Sequence, residues 1–405
     1  MFYSSHTLPN GIRLVHHYEK SPVVYCGLAI GVGSRDENKE QYGLAHFTEH
    51  MLFKGTKKRK SWHILNRLET IGGTLDAYTT KEETFVYSAI PTTYFERAAE
   101  LLADILFHSQ FPQHEIEKEV DVIIDEIQSY NDSPAELIFD DFDSLLFGNS
   151  ELGHNILGSE QQLLSYNSDS FFSFVTQHYT ADKIVFFVSG DVDFKKALKV
   201  ADKWLNERLP QNSSLREPTD NYTPKRIETK RDTFQTHCII GNRGYALNHP
   251  QRLPLFLLNN ILGGPCMNSL LNLSIREKNG LAYTIESETA SYSDSGSFVV
   301  YFGCDHKNSD RCIALCEKEL KKLCDNPLNE TKLQHYKRQI TGQLMIASQN
   351  KENVALSMAR SFLHTNTYDE FECVAKKIAE ISAAQLQEVA NEIFDKTQLS
   401  YLLFC

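Results

Sequence analysis

Three side chains in one short stretch have the types and the spacing to hold a metal and use it. In residues 43–55, GLAHFTEHMLFKG, His46, Glu49 and His50 stand in the order H-x-x-E-H. Residues three and four apart share one face of a helix. A helix here therefore presents two imidazoles and a carboxylate to the same spot. These are the parts of the H-E-x-x-H zinc motif in inverted order: two nitrogen ligands and a general base. The pattern fixes only three positions in five, so chance on a polar helix face is the competing reading. A catalytic zinc needs a third protein ligand and one open position for water. The run EIEKEVDVIIDEIQSY, expected as a helix over about 113–130, offers Glu119 and Glu126. They lie two turns apart on one side, beside the apolar stripe Ile116, Val120, Ile123 and Ile127. A carboxylate at the edge of a buried stripe costs free energy unless something pairs with it, and a metal would. A solvated acidic face shared with Glu115, Asp121 and Asp125 is the alternative. Glu126 is the natural third ligand. Glu49 is then left to take the proton from zinc-bound water as that water attacks a peptide carbonyl, and to pass it to the leaving amine.

The elements that must position these groups follow from periodicity. Asn10-Gly11 marks a hairpin turn, and Val23 to Val32 is a β run. His16 and His17, without spaced carboxylates nearby, read as surface residues. The metal helix covers about 41–54, and a second helix over 62–70 stops at Gly72-Gly73. Two antiparallel strands are expected over 74–90, TLDAYT and TFVYSAI around a polar break. The first could be an interior strand, or an edge that pairs with an extended peptide. Helices at 93–108, 134–148 and 159–179, a strand at 183–189 and a helix at 193–206 complete the first half.

Residues 207–225, with three Pro and many polar residues, form the best linker. The expected organisation is thus 1–206, a linker at 207–225, and 226–405. The last segment repeats the element order of the first: strand, helices at 251–262 and 267–278, strands at 281–291 and 296–304, then helices. The fold class is α+β, two homologous domains, each a mainly antiparallel sheet with helices packed on one face. Placing LNETKLQHYKRQITGQL on FPQHEIEKEVDVIIDEI sets Tyr336 opposite Glu119 and Gln343 opposite Glu126, so the repeat has no metal site.

Bulk properties exclude other classes. A chain of 405 residues is too long for one ordinary core. A net charge of −12 disfavours nucleic acid as a partner. No apolar run is long enough for a membrane span. The nine cysteines, odd in number, point to reduced thiols rather than a disulfide scaffold. The N-terminus shows no secretory signal, so the expected location is cytoplasmic, or periplasmic if a signal segment has been removed.

GLAHFTEHMLFKGT, followed by Glu126 in EKEVDVIIDEI, together with IGGTLDAYTTKEETFVY, ILGGPCMNSLL and REKNGLAY, resembles the pitrilysin/insulinase-like metallopeptidases. The resemblance is nearest to the bacterial relatives of mitochondrial processing peptidase, and it spans essentially the whole chain. It implies one zinc per subunit on His46, His50 and Glu126, with Glu49 as base and Glu119 as a supporting acid. It implies that the strand Leu75, Asp76, Ala77, Tyr78 and Thr79 pairs with substrate, although Asp76 stands where the family commonly has Asn. Phe53 would line an apolar subsite. Glu136 and Asp140 would receive a basic substrate residue, or are helix-surface acids. Arg276 and Tyr283 would close over substrate; read by chemistry alone they are a surface charge and a core aromatic. The implied activity is endopeptidase action on peptides or unfolded segments inside a closed chamber formed by paired subunits. Both the metal helix and the Arg276/Tyr283 segment sit in one chain, which favours a homodimer. The alternative is a non-catalytic structural or partner subunit of a heterodimeric processing peptidase.

Overall fold

A computed structural model describes residues 3–210, 216–219 and 221–405; residues 211–215 and 220 of the expected linker lie outside the described residues. Strands β1 (Tyr3–Thr7), β2 (Arg13–Tyr18) and β3 (Val23–Ile30) precede helices α1 (Leu44–Met51) and α2 (Ser61–Glu69). The hairpin β4 (Thr74–Thr79) and β5 (Thr84–Pro91) leads into α3 (Phe95–His108), α4 (Gln113–Asn131) and α5 (Pro134–Phe147). Then come α6 (Glu160–Leu163), α7 (Ser168–His178), β6 (Ile184–Gly190) and α8 (Phe194–Trp204). The second half holds β7 (Arg226–Thr229), β8 (Thr236–Gly244), α9 (Arg252–Gly263), a π-helical turn at Asn272–Glu277, β9 (Ala282–Ser291) and β10 (Gly296–Cys304). It ends with α10 (Ser309–Asp325), α11 (Glu330–Ala347), α12 (Lys351–Thr365), α13 (Phe371–Glu380), α14 (Ala383–Ile393) and β11 (Ser400–Phe404).

The chain packs as two compact α+β units. One comprises Met1–Gln128, His154–Glu217 and Ala347–Tyr368; the other Ser129–Gly153, Pro218–Ile346 and Asp369–Cys405. The first unit carries a six-stranded sheet, β1-β2-β6-β3-β5-β4, antiparallel except for the β2–β6 pair. Strand β6, IVFFVSG, is buried at every position, the signature of a strand covered on both faces. Ile184, Phe186 and Val188 join the main core with helix residues such as Phe47, Leu102 and Phe171. Val185 and Phe187 meet Met358 and Phe362 of α12 on the other face.

The second unit has a five-stranded sheet, β7-β11-β8-β10-β9. Here too the alternate residues of β10 divide: Phe298, Val300 and Phe302 enter one core, Val299 and Tyr301 another with α5. At Gly241 of β8 a Cβ would lie 2.8 Å from the Phe142 ring of α5, so only glycine admits the helix this close.

The compact units are therefore not the contiguous segments 1–206 and 226–405. Helix α5 buries Leu137, Ile138, Phe142 and Leu146 against the sheet of the second unit. Helix α12 buries its stripe in the first. Helices cover both faces of each sheet, one face by the larger helix set and the other by a single helix. The strands that the sequence places in both halves form, with the short β7 in addition. The expected helix at 159–179 is two, α6 and α7, and that at 267–278 is replaced by the π-helical turn. His16 and His17 are buried rather than on the surface. The His16 Nε2 lies 2.6 Å from the Val192 carbonyl and the His17 Nδ1 3.0 Å from Ser189 Oγ. Burial lowers both pKa values, which favours neutral rings whose polar atoms have local partners. All nine cysteines are free. No described helix is long and apolar enough to cross a membrane.

Candidate metal centre

The metal helix begins at Gly43, whose φ of +88° is left-handed. A Cβ there would also meet the Leu157 carbonyl oxygen at 2.6 Å, so glycine is required twice over. Glycine has no side chain to cap the helix, and Glu37 does it instead. Its carboxylate accepts from the Gly43 N–H at 3.0 Å and the Ala45 N–H at 2.6 Å. His154 Nε2 lies 2.9 Å from the same carboxylate and its ring stacks on Tyr42. Burial pushes the Glu37 carboxyl well up, against the pull of the two N–H bonds. The sequence reading missed both residues; the burial that marks Glu37 as the cap shows only in the fold. Glu37→Ala strands two buried donors, and should lower stability by roughly 2–4 kcal/mol, read as a reduced denaturation midpoint.

Leu44, Phe47 and Met51 enter the core, and the ring of Phe47 stands edge-on to Phe171 at 4.8 Å. That anchoring fixes the opposite face, where His46 and His50 converge with Glu126 of α4. The three ligand atoms lie within 4.8 Å of one another. Glu126 Oε2 is 3.8 Å from His46 Nε2 and 3.9 Å from His50 Nε2. Atoms bound tetrahedrally to one zinc ion stand about 3.3 Å apart, so a small inward movement closes the set around an ion.

The protonation chemistry fits a cation. Burial, with His50 adding, lowers His46 to about 3, so its ring is neutral as a ligand must be. Its Nδ1 is buried without a hydrogen-bond partner. Burial would lower His50 as well, but the Glu119 hydrogen bond and the charges of Glu49, Glu119 and Glu126 raise it instead. Three carboxylates thus favour positive charge at this spot.

Glu119 lies beneath the centre. Its Oε1 is 2.9 Å from His50 Nδ1 and its Oε2 2.5 Å from Lys54 Nζ. Burial alone would raise Glu119, but the hydrogen bonds from His50 and Lys54 outweigh it and hold it below the usual carboxylate range. It fixes the ring so that Nε2 faces Glu126, the arrangement that carboxylates give to metal-bound histidines. Lys54, one turn beyond His50, opens the basic run at 54–60, which reads in the sequence as a solvated loop; here its ammonium is paired with Glu119. Glu119→Gln should weaken zinc affinity about 10–100-fold, measured by competition with a chromogenic chelator.

Glu49 is buried beside the histidines and raised by burial, partly offset by a hydrogen bond from Thr79. The Thr79 hydroxyl donates to Glu49 Oε2 at 2.7 Å. Strand β4 is an edge of its sheet. Leu75 and Ala77 pack toward the core that holds α1, whereas Tyr78 points to the other face and stacks on Phe85. Asp76 is exposed opposite Tyr87. Phe53 packs half-buried against the same core as α1.

The remaining predicted residues belong to the second unit. Glu136 and Asp140 stand one turn apart on α5. Arg276 lies near the end of the π-helical turn and 5.5 Å over the ring of Tyr283 on the edge strand β9. Tyr283 is 78 % exposed, not a core aromatic. Gln343 of α11 accepts from Asn260 Nδ2 at 2.9 Å and lies 2.8 Å from Cys266 Sγ. Amide and thiol thus stand in the repeat, where no cluster of metal-binding type occurs among the described residues.

Comparison with known proteins identifies the family. The family described as Insulinase (Peptidase family M16) matches residues 13–160, and the Peptidase M16 inactive domain matches residues 165–340. An uncharacterized zinc protease of Bacillus subtilis, YmxG, is 32% identical over 395 residues, covering 96% of this chain and 95% of that one. One from Rickettsia felis is 32% identical over 397 residues, covering 98% and 96%. Among solved structures, a protease from Helicobacter pylori superposes with a TM-score of 0.90 at 21% identity, over 99% of each chain. A peptidase M16 inactive domain from Pseudomonas fluorescens gives 0.92 at 17% identity, over 100% of this chain and 98% of that one. The two domain matches, and relatives aligned over nearly their full length, mean that the chain belongs to the insulinase family of peptidases, M16.

Proposed function

We propose that this chain is a zinc-dependent endopeptidase acting on peptides or unfolded segments. The observation that carries this reading is the convergence of His46, His50 and Glu126 within 4.8 Å, with Glu49 on the same helix face. One such triad supports one zinc per subunit. A zinc ion held by these residues supplies Lewis acidity, polarising a carbonyl and acidifying water. Glu49, raised by burial, accepts the proton of the attacking water and returns it to the leaving nitrogen. Glu119 keeps His50 oriented. The backbone of β4 offers an extended substrate an unpaired edge.

Arg276 and Tyr283 contact substrate as well; their mutual packing and the exposure of Tyr283 support this. Phe53 lines an apolar subsite, and Glu136 and Asp140 supply a lean toward basic substrates. Because one chain carries every one of these residues, the working assembly is a homodimer. Nine free thiols support a reducing compartment, the cytoplasm.

The test is digestion of a library of unstructured peptides with product sequencing by mass spectrometry. Cuts at internal bonds that a chelator suppresses are expected. Terminal trimming alone, or no cleavage by zinc-loaded chain, contradicts the proposal. Native mass measurement of the chain alone should give a dimer, and a monomer active only with a second protein contradicts that part.

A further inference from the structure

Thr79 closes β4, and two geometric facts meet there. The first concerns its backbone. The Thr80 N–H donates to the Glu83 carbonyl at 2.8 Å at the base of the β4–β5 hairpin. Antiparallel pairs alternate between bonded and non-bonded, so Thr79↔Thr84, Ala77↔Val86 and Leu75↔Ser88 are non-bonded pairs. The N–H and C=O groups of Leu75, Ala77 and Thr79 therefore face the free edge of the sheet. The second concerns its side chain. The Thr79 hydroxyl donates to Glu49 Oε2, the one side-chain hydrogen bond Glu49 makes among the described residues. The hydroxyl is itself held between Glu49 and the Thr84 hydroxyl, 3.4 Å away, while Thr84 donates to the Val32 carbonyl at 2.9 Å. Tyr179, fully buried, packs close enough for the charge of Glu49 to act on it.

We infer that Thr79 is a positioning residue: it ties the carboxylate of Glu49 to the strand that binds substrate, and leaves Oε1 as the proton-accepting oxygen. This rests on the reading of Glu49 as general base. A buried carboxylate with one oxygen anchored rotates less than a free one, so its other oxygen stays aimed at the reacting water. The backbone of the same residue sits at the free edge, so the base and the end of the substrate track share one anchor.

The experiment uses the full-length, zinc-loaded chain and a quenched-fluorescence peptide chosen from those the wild type cleaves. Thr79→Val keeps the shape and removes the donor; Thr79→Ser keeps the donor. Thr79→Val should lower kcat roughly tenfold or more, the effect of losing one hydrogen bond to a charged group, with KM and zinc content unchanged. Thr79→Ser should restore kcat to within about threefold of wild type. In a Glu49→Gln background, Thr79→Val should cost nothing further, since residues acting through one group are not additive. The inference is overturned by any of three results: a Thr79→Val chain with near wild-type kcat, a Thr79→Ser chain as impaired as Thr79→Val, or an undiminished Thr79→Val penalty on top of Glu49→Gln. A Glu49→Gln chain as active as wild type overturns both this inference and the assignment of the base, and so separates the two failures.

Discussion

Glu49→Gln should retain one zinc per chain and lose peptide hydrolysis by about 10²–10⁴-fold, the range assigned to a positioned general base. The amide is nearly isosteric and can still receive the Thr79 hydroxyl bond on its oxygen. What it lacks is a carboxylate oxygen to take a proton from attacking water. Glu49 is not part of the converging triad of His46, His50 and Glu126, so metal content should not move. Single-turnover kinetics with metal analysis on the same sample checks both halves. Loss of metal together with activity would make Glu49 a ligand instead, and retained activity would remove it from the chemistry.

The second large effect is expected at Glu126. Glu126→Gln replaces the only acidic ligand of the triad with a neutral amide, and His46→Ala removes a nitrogen donor. A three-ligand zinc site reduced to two loses most of its affinity, because the remaining donors cannot complete a tetrahedral set. Both variants should be purified without stoichiometric zinc and without activity at micromolar zinc. Glu126 is half-exposed on a helix fixed by Ile116, Val120 and Ile123, so its substitution should leave the denaturation midpoint of the metal-free chain almost unchanged. A combined loss of fold and metal would mean that the carboxylate is structural. Full activity of Glu126→Gln would transfer the third-ligand role elsewhere.

Much of this site was legible in the sequence because helices impose a short, rigid period. H-x-x-E-H on α1 and the seven-residue spacing of Glu119 and Glu126 on α4 each define a face without tertiary information. In the structure the two faces meet, with His46, His50 and Glu126 within 4.8 Å of one another. Long-range partners carry no such period. Glu37 caps α1 from an upstream loop, His154 lies 117 residues further on, and neither has a local pattern that reveals it. Thr79 was readable as part of a strand but not as a partner of Glu49. That contact depends on which face of β4 turns toward α1, and a one-residue change of register reverses the faces.

The architecture shows the same division. Periodicity identified the strands and most helices, and the internal repeat gave two α+β domains. The packing of α5 and α12 was not foreseen. Each is an ordinary amphipathic helix, and nothing within it says which sheet receives its stripe. The clue lay in the strands: IVFFVSG and FVVYF are apolar at successive positions, which requires cover on both faces. His16 and His17 were misplaced for a related reason. They occupy strand β2, where burial is set by neighbours such as β6 and by Val192 rather than by local polarity.

The measurement closest to the central claim is a zinc titration of the chelator-stripped chain, following internal peptide cleavage against zinc bound. Activity should be absent at the start and rise in proportion to bound zinc. It should reach its plateau at one zinc per chain, with Glu49→Gln binding the same amount and staying inactive. Cleavage that persists in the stripped chain, or zinc that binds at one per chain without restoring it, would contradict a zinc peptidase centred on His46, His50 and Glu126.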